Sequence, residues 1–403
     1  MGLGNENVGI VGHDLRFGVV TRALWKDNIL TLPDWVGSTA QLGTGRVRLE
    51  ISWDSPPLRG APCPGGPAAS TVEEAFLRIS LAPFFLAVQA YKSADIEPLI
   101  LFSAETLCIN EDAGFSPAGK AQCPSGPLAG MDYIAAFATR ATWIATQLIN
   151  AYDVTCFEIW NEPNNRGSSD YIDDPETFAR LVATTALSIR QAVPTRNLTI
   201  VTGGILFLHT PDNAINTTGD EAAYLEPALQ YLLHYGVVWD KVGVHLYIDD
   251  PFTQERCGVL RDLQQFLSSP VYRNPREPFA APIWITEFGS FLGGCPELSV
   301  PGAQPSSQEQ RGQLVDLDLW YQGTIIPALQ RQIIDASFWF TYEANPLQPP
   351  ALSCNQWGLI ALDDSGTRPG APWQSWIAIQ SLIGRSLGTP SPALLSIGPY
   401  APC

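Results

Sequence analysis

The chain has 403 residues, a hydrophobic content of 45% and a formal net charge of −17 at pH 7. That is enough apolar chain for one large α/β barrel or two medium domains, and the acidic balance opposes nucleic acid and anionic membrane surfaces as partners. Only four lysines occur (Lys26, Lys92, Lys120 and Lys241), no basic patch is visible, and no apolar run is long and charge-free enough to span a membrane.

Taken in order, residues 1–14 are Gly-rich and polar and read as a lead-in. Strands are then predicted over Leu15–Val20 and Arg46–Trp53. A long helical stretch follows, Val72 to Ala94, and then a third strand, Pro98–Ser103. After a Pro/Gly-rich loop, Cys108–Gly130, apolar residues recur at helical spacing from Met131 to Asn150 and lead into a fourth strand, Val154–Trp160. A helix is predicted over Thr177–Ala192, with Asp173 or Asp174 as its cap and Pro175 in its first turn. Strands five to eight are placed at Leu198–Thr202, Lys241–Tyr247, Ile283–Glu287 and Ala336–Tyr342. Helices are placed between and after them at Glu221–Tyr235, Leu260–Leu267, Gln308–Gln330 and Trp373–Ile383. Eight strands alternating with helices in this length predict a single (β/α)8 TIM barrel over residues 15–387. The Pro/Ser-rich residues 388–403 read as a tail packed back on it. No internal repeat and no second globular domain is visible, and a monomer is expected.

The eight cysteines are Cys63, Cys108, Cys123, Cys156, Cys257, Cys295, Cys354 and Cys403. An even number, mostly in Pro/Gly-rich loops, predicts disulfides and an extracellular, secreted protein. Cys108 with Cys123, and Cys257 with Cys295, are plausible pairs, but spacing does not fix the connectivity. Cys156, in mid-strand, is expected to be a free core thiol. No Cys/His spacing suits a metal, so none is expected. The sequons Asn197-Leu198-Thr199 and Asn216-Thr217-Thr218 also permit secretion. No signal peptide is read at the start, and Met1-Gly2 looks like a trimmed end.

Two stretches carry the chemistry. In Cys156-Phe157-Glu158-Ile159-Trp160-Asn161-Glu162-Pro163 a buried strand ends abruptly. Pro163 cannot donate to a sheet and keeps Glu162 out of the helical region, so Glu162 is fixed at a strand's carboxyl end. At a distance of 125 residues, Ile283-Trp284-Ile285-Thr286-Glu287-Phe288-Gly289 is a second apolar strand ending in a glutamate. On one parallel barrel both carboxylates face one mouth, which is where such barrels do chemistry.

The first stretch resembles the acid/base strand of clan A glycoside hydrolases, and Trp284 to Gly289 resembles their nucleophile strand. Within the clan it is most similar to family 39, with family 5 close behind. The resemblance implies a retaining glycoside hydrolase with a carbohydrate substrate and no cofactor. Glu162 would be the acid/base, Glu287 the nucleophile, and Asn161 the partner of the sugar 2-hydroxyl. His245-Leu246-Tyr247 resembles the clan's His-x-Tyr element, so Tyr247 would donate to Glu287 and His245 would contact sugar or carboxylate. A satisfied core histidine is the plainer alternative. Arg48 would keep Glu287 ionised if it points inward, or pair with Glu50 or Glu158 instead. Trp339 is placed by the resemblance as the aromatic floor under the sugar, against a plain core tryptophan. Glu343, Trp25, Trp53, Trp357 and His209 are weaker candidates near other strand ends. Trp357-Gly358-Leu359-Ile360 and Asp363 to Pro369 resemble the clan's closing segment.

The carboxyl groups are expected about 5–5.5 Å apart, as in retaining enzymes. Mutual repulsion is expected to raise the Glu162 pKa. Aromatics near strand ends favour an open groove and internal cleavage of an oligo- or polysaccharide. The alternatives are an exo-acting β-glycosidase of the β-xylosidase kind, a transglycosylase and a catalytically silent carbohydrate-binding barrel.

Overall fold

The structure is a computed structural model, and it describes residues 13–21, 29–51, 81–107, 115–123, 128–168, 170–207, 220–237, 239–247, 254–272, 282–289, 307–341, 359–362, 368–372 and 374–386. Eight parallel strands close into a barrel: β1 (Asp14–Val20), β2 (Thr44–Glu50), β3 (Glu97–Phe102), β4 (Cys156–Asn161), β5 (Thr199–Phe207), β6 (Lys241–Leu246), β7 (Ile283–Phe288) and β8 (Ile334–Phe340). β1 pairs with both β2 and β8, which leaves no edge. A short antiparallel hairpin, β9 (Ile360–Leu362) with β10 (Pro369–Pro372), precedes the helix Gln374–Ser386.

The eight strands fall where alternation placed them. β5 runs five residues further, to Phe207. Local signals set the helices. Asp174 caps Pro175–Ala192 by accepting from the amides of Glu176 and Thr177, with Pro175 in the first turn. Asp132 caps Tyr133–Tyr152 through the Ala135 amide. The predicted helix Gln308–Gln330 is a composite of α-helices Ser307–Trp320 and Ile326–Gln330 around a π turn, Tyr321–Ile325. The helix expected from Val72 is described only over Ala82–Ser93. The helix Leu32–Leu42 was not anticipated. Pro33 opens it, and Gly43 at φ 86° ends it in the left-handed conformation.

Apolar residues form two layers. The larger lies between strands and helices and contains Phe157, Ile159, Ile285 and Phe288. The smaller fills the barrel with Val20, Leu99, Cys156, Val201, Trp284, Ala336 and Phe338. Above that plug the interior turns polar, with Arg48, Glu158 and His245 all buried. Irregular register in β5 after Thr202, in β6 after Val244 and in β7 after Ile285 falls at this polar end, and it sets His245 beside Glu287. Such irregularities re-aim side chains without breaking the sheet.

The candidate active site

Strict alternation along β4 would send Cys156, Glu158 and Trp160 into the barrel. Trp160 does not follow. Its φ of 78° is left-handed, and its ring packs outward, edge-on to Phe137 at 5.3 Å and to Tyr133 at 6.2 Å. The turn brings Asn161 inward, where Oδ1 accepts from Arg48 Nη2 at 3.0 Å. Glu162 follows at φ 41°, with its amide bonded to the Gly204 carbonyl at 3.1 Å. Positive φ at a bulky residue is uncommon and clusters at functional sites. Two packing features hold it. The Trp160 indole donates to the Asp170 carbonyl at 2.6 Å, and β5 carries Gly203, where a Cβ would lie 2.6 Å from the Trp160 carbonyl oxygen.

Glu162 and Glu287 meet across the mouth. One oxygen of each carboxylate and one ring nitrogen of His245 lie within 4.8 Å of one another. Glu162 is held at both oxygens: His245 Nδ1 is 2.8 Å from Oε1, and Asn165 Nδ2 donates to Oε2 at 2.6 Å. Glu287 is likewise held twice, by Arg48 on Oε1 and by the Tyr247 hydroxyl on Oε2 at 2.8 Å. His245 Nδ1 lies 3.5 Å from Glu287 Oε2, and its Nε2 faces Arg48 Nη2 at 3.4 Å. The ring is seated against Gly204, where a Cβ would come within 2.2 Å of Nε2. Arg48 thus resolves the choice the sequence left open, because it pairs with Glu287 and also with Glu158, at 2.5 Å through Nε.

Trp339 is not at the mouth. It is buried on the outer side of β8, stacked on Tyr321 at 6.1 Å and edge-on to Phe288 at 5.5 Å. Alternation turns the next residue, Phe340, inward, and its ring stands edge-on to Tyr247 at 6.2 Å. Phe340, not Trp339, is therefore the aromatic of this pair that faces the barrel interior. Tyr342, Glu343, Trp25, Trp53, Trp357 and His209 lie outside the described residues.

The electrostatics correct a second expectation. Burial raises the Glu162 pKa, but the hydrogen bond and charge of His245, the Asn165 amide and Arg48 outweigh it, so the carboxyl sits below its ordinary range. Burial lowers His245, but Glu287 and Glu162 more than offset it, and the imidazole sits above its ordinary value. Repulsion between the two glutamates does not dominate, because His245 lies against both carboxylates and the Arg48 charge acts on both. Burial first, then the charge of Glu287, keeps the Tyr247 phenol protonated, so it serves as a donor. By spacing, Glu162, His245 and Glu287 also suit a cation, but any ion would be set against the Arg48 guanidinium, which already occupies one Glu287 oxygen.

These shifts fix an expected stability profile. A carboxyl held below its ordinary 4.5 adds stability above that value and loses it as pH falls. A histidine held above its ordinary 6.5 adds stability below that value and loses it as pH rises through its folded pKa. The Glu162–His245 pair should stabilise most between about 4.5 and 6.5, and Tm should fall on both sides. Thermal melts across pH check this, with His245→Gln flattening the alkaline fall. A wild-type Tm that climbed steadily from neutral to alkaline pH would contradict it.

No family model matches the chain, and no curated protein matches it. Solved structures do. A family 39 glycoside hydrolase from Bacteroides cellulosilyticus WH2 aligns at TM-score 0.57 and 16% identity, over 93% of this chain and 64% of that one. A double mutant of the β-glucosidase from Trichoderma harzianum aligns at TM-score 0.57 and 14% identity, over 94% and 99%. An exo-β-1,4-mannosidase from an Opitutaceae bacterium aligns at TM-score 0.53 and 15% identity, over 94% and 62%. The chain has the barrel fold of these enzymes. It spans less than two thirds of the length of the family 39 enzyme and of the mannosidase.

Two contributors escaped the sequence reading. Asn165 carried a weak signal, as the fourth polar residue in Asn-Glu-Pro-Asn-Asn. Glu158 was noticed only as a rival partner for Arg48, although its place between Phe157 and Ile159, which pack in the outer layer, fits an inward position on an alternating strand.

Proposed function

We propose that the chain is a retaining β-glycoside hydrolase in which Glu287 is the nucleophile and Glu162 the acid/base. The observation that carries this is the approach of the two strand-end carboxylates to within 4.8 Å at their nearest oxygens. That closeness supports the roughly 5–5.5 Å between carboxyl groups that direct attack requires, against the roughly 6.5–9.5 Å of an inverting site. Glu287 attacks the anomeric carbon while the glycosidic oxygen leaves with a proton from Glu162. In the second half Glu162 takes a proton from water as that water attacks the same carbon and releases Glu287. Arg48 and Tyr247 orient the Glu287 carboxylate, and Asn161, its Oδ1 committed to Arg48, offers its amide nitrogen to the sugar 2-hydroxyl. His245, 2.8 Å from Glu162 through Nδ1, supplies the acid proton from its imidazolium form and becomes neutral as the leaving oxygen draws on Glu162.

The proposed substrate is a β-linked oligo- or polysaccharide cut at internal bonds. Trp160 and Trp339, both buried in the wall, give a groove no support. Removal of terminal sugars is the second reading, favoured by the β-glucosidase and the exo-mannosidase among the structural neighbours. Proton NMR of the first product from a β-linked glycan panel tests the proposal. A β-anomer is expected, and its length separates internal from terminal cleavage. An α-anomer would remove the role of Glu287, and binding without turnover on every glycan would favour a silent carbohydrate-binding barrel.

Secretion with bridged loops is proposed as well. Its support is that Cys156 is the free thiol among the described residues, as expected of the mid-strand cysteine, while Cys123 and Cys257 are buried. Asn197 of the first sequon is exposed. Reduction is expected to lower Tm, since closing a loop of about 15 residues is worth roughly 3 kcal/mol. Mass spectrometry finding all eight thiols free would end this reading.

A further inference from the structure

Glu158 has no part in the chemistry above, yet it is the most deeply placed charge near it. It is fully buried, it meets Arg48 Nε at 2.5 Å, and its Oε1 has no hydrogen-bond partner among the described residues. Oε1 points toward Gly243 on β6, where a Cβ would stand 3.1 Å away. Its register neighbours, Leu101 on β3 and Val201 on β5, are apolar. Such a group is poorly explained by stability, because apolar side chains of similar volume commonly match or better a buried ion pair.

We propose that Glu158 is a positioning residue which, acting through Arg48, makes the mouth of the barrel hold its catalytic proton. This rests on the glycosidase reading for its meaning but not for its measurement. The charged groups around the proton are few. Arg48 comes from β2, with Glu50 at the same strand's end accepting from Ser103 at 2.5 Å. Glu162 follows β4, and His245 and Tyr247 come from β6 and its end. Glu287 comes from β7. Lys241, at the far end of β6, is committed to Asp335 at 2.7 Å. Arg48 alone cannot balance both Glu162 and Glu287. With Glu158 drawing on its Nε, the guanidinium is shared among still more negative charge. His245 is the second cation in its doubly protonated form, with Nδ1–H on Glu162 and Nε2–H set 3.4 Å from Arg48 Nη2, a donor-to-donor contact that the negative charge gathered on Arg48, Glu158 included, has to offset. Glu158 also fixes the guanidinium from below, so that Nη1 and Nη2 face Glu287 and Asn161.

The sign of the test follows. Glu158→Gln keeps the shape and removes the charge, so the cluster holds its proton less tightly. The 15N titration of the His245 ring should move to lower pH by about one unit, and both limbs of the pH–activity profile should move the same way. Glu158→Asp keeps the charge and should leave the titration in place even if Tm drops. Glu158→Met, uncharged and similar in volume, serves as the second neutral variant should Glu158→Gln fold poorly. An unmoved His245 titration in a folded neutral variant overturns the proposal and leaves Glu158 a structural counter-ion. If no glycan is turned over at all, the glycosidase reading fails while the ring titration still decides the role of Glu158.

Discussion

Glu287→Ala is expected to abolish hydrolysis of β-glycosides, with a loss of about 10⁴-fold or more in kcat, the scale on which removal of a covalent nucleophile is felt. The fold should survive, because Glu287 sits at the strand end with its carboxylate reaching the mouth, and Arg48 keeps Glu158 as a partner. Glu162→Ala should behave differently. Aryl glycosides with good leaving groups need little protonation and should be slowed far less than natural glycans. A small anion then separates the two roles. Azide should attack the glycosyl-enzyme formed by Glu162→Ala and give a β-product. In Glu287→Ala it should enter the vacated face and give an α-product. Product NMR with each variant reads this directly, and the same anomer from both would falsify the division of labour between the two glutamates.

Arg48→Met is expected to damage fold and activity together. The guanidinium is the common partner of Glu158, Glu287 and Asn161 and is nearly fully buried. Burial disfavours its charge, but Glu158 and Glu287 more than offset this and raise its pKa, so it is present as a cation at every working pH. Without it the fully buried Glu158 is left unpaired, and breaking a buried pair in this way costs about 3–5 kcal/mol. Adding Glu158→Leu to Arg48→Met should recover much of that stability, because no lone charge remains inside. It should recover none of the turnover, because Glu287 and Asn161 have still lost their support. Chemical denaturation and kcat/KM measured on both singles and the double complete the cycle. A double variant as unstable as Arg48→Met alone would mean that Glu158 is not the source of the loss.

The barrel was legible because its strands are short, apolar and regularly interrupted, and parallel strands joined by helices have few other ways to pack. Glu162 and Glu287 were legible for the same reason, since each ends such a strand, one stopped by Pro163 and the other by Gly289. Tyr247 was paired with Glu287 through the resemblance of His245-Leu246-Tyr247 to the clan's His-x-Tyr element, and the hydroxyl does reach that carboxylate. What alternation hid lies where the backbone departs from it. Trp160 turns outward on a left-handed φ, and irregular register in β5, β6 and β7 moves side chains by one place. Trp339 was misplaced because the resemblance fixed the residue type at the end of β8 but not its face, and Phe340 holds the inward one. The Glu162 pKa was misjudged because only Glu287 was weighed against it, while His245 and Asn165 stand closer to it than the sequence could tell.

The indole of Trp160 ends on the Asp170 carbonyl, and the carboxylate of that same aspartate accepts from the Ala104 amide at 3.1 Å, just past the end of β3. Ile172 closes back on the Pro163 carbonyl at 2.8 Å and receives the Tyr224 hydroxyl on its own. The segments that follow β3 and β4 are therefore one mechanical piece. In loop-exchange engineering, swapping the segment after β3 alone would pull on Asp170, and through it on the backbone twist that aims Asn161 and Glu162. Chimeras should keep their catalytic geometry only when residues 104–107 and 161–172 travel together.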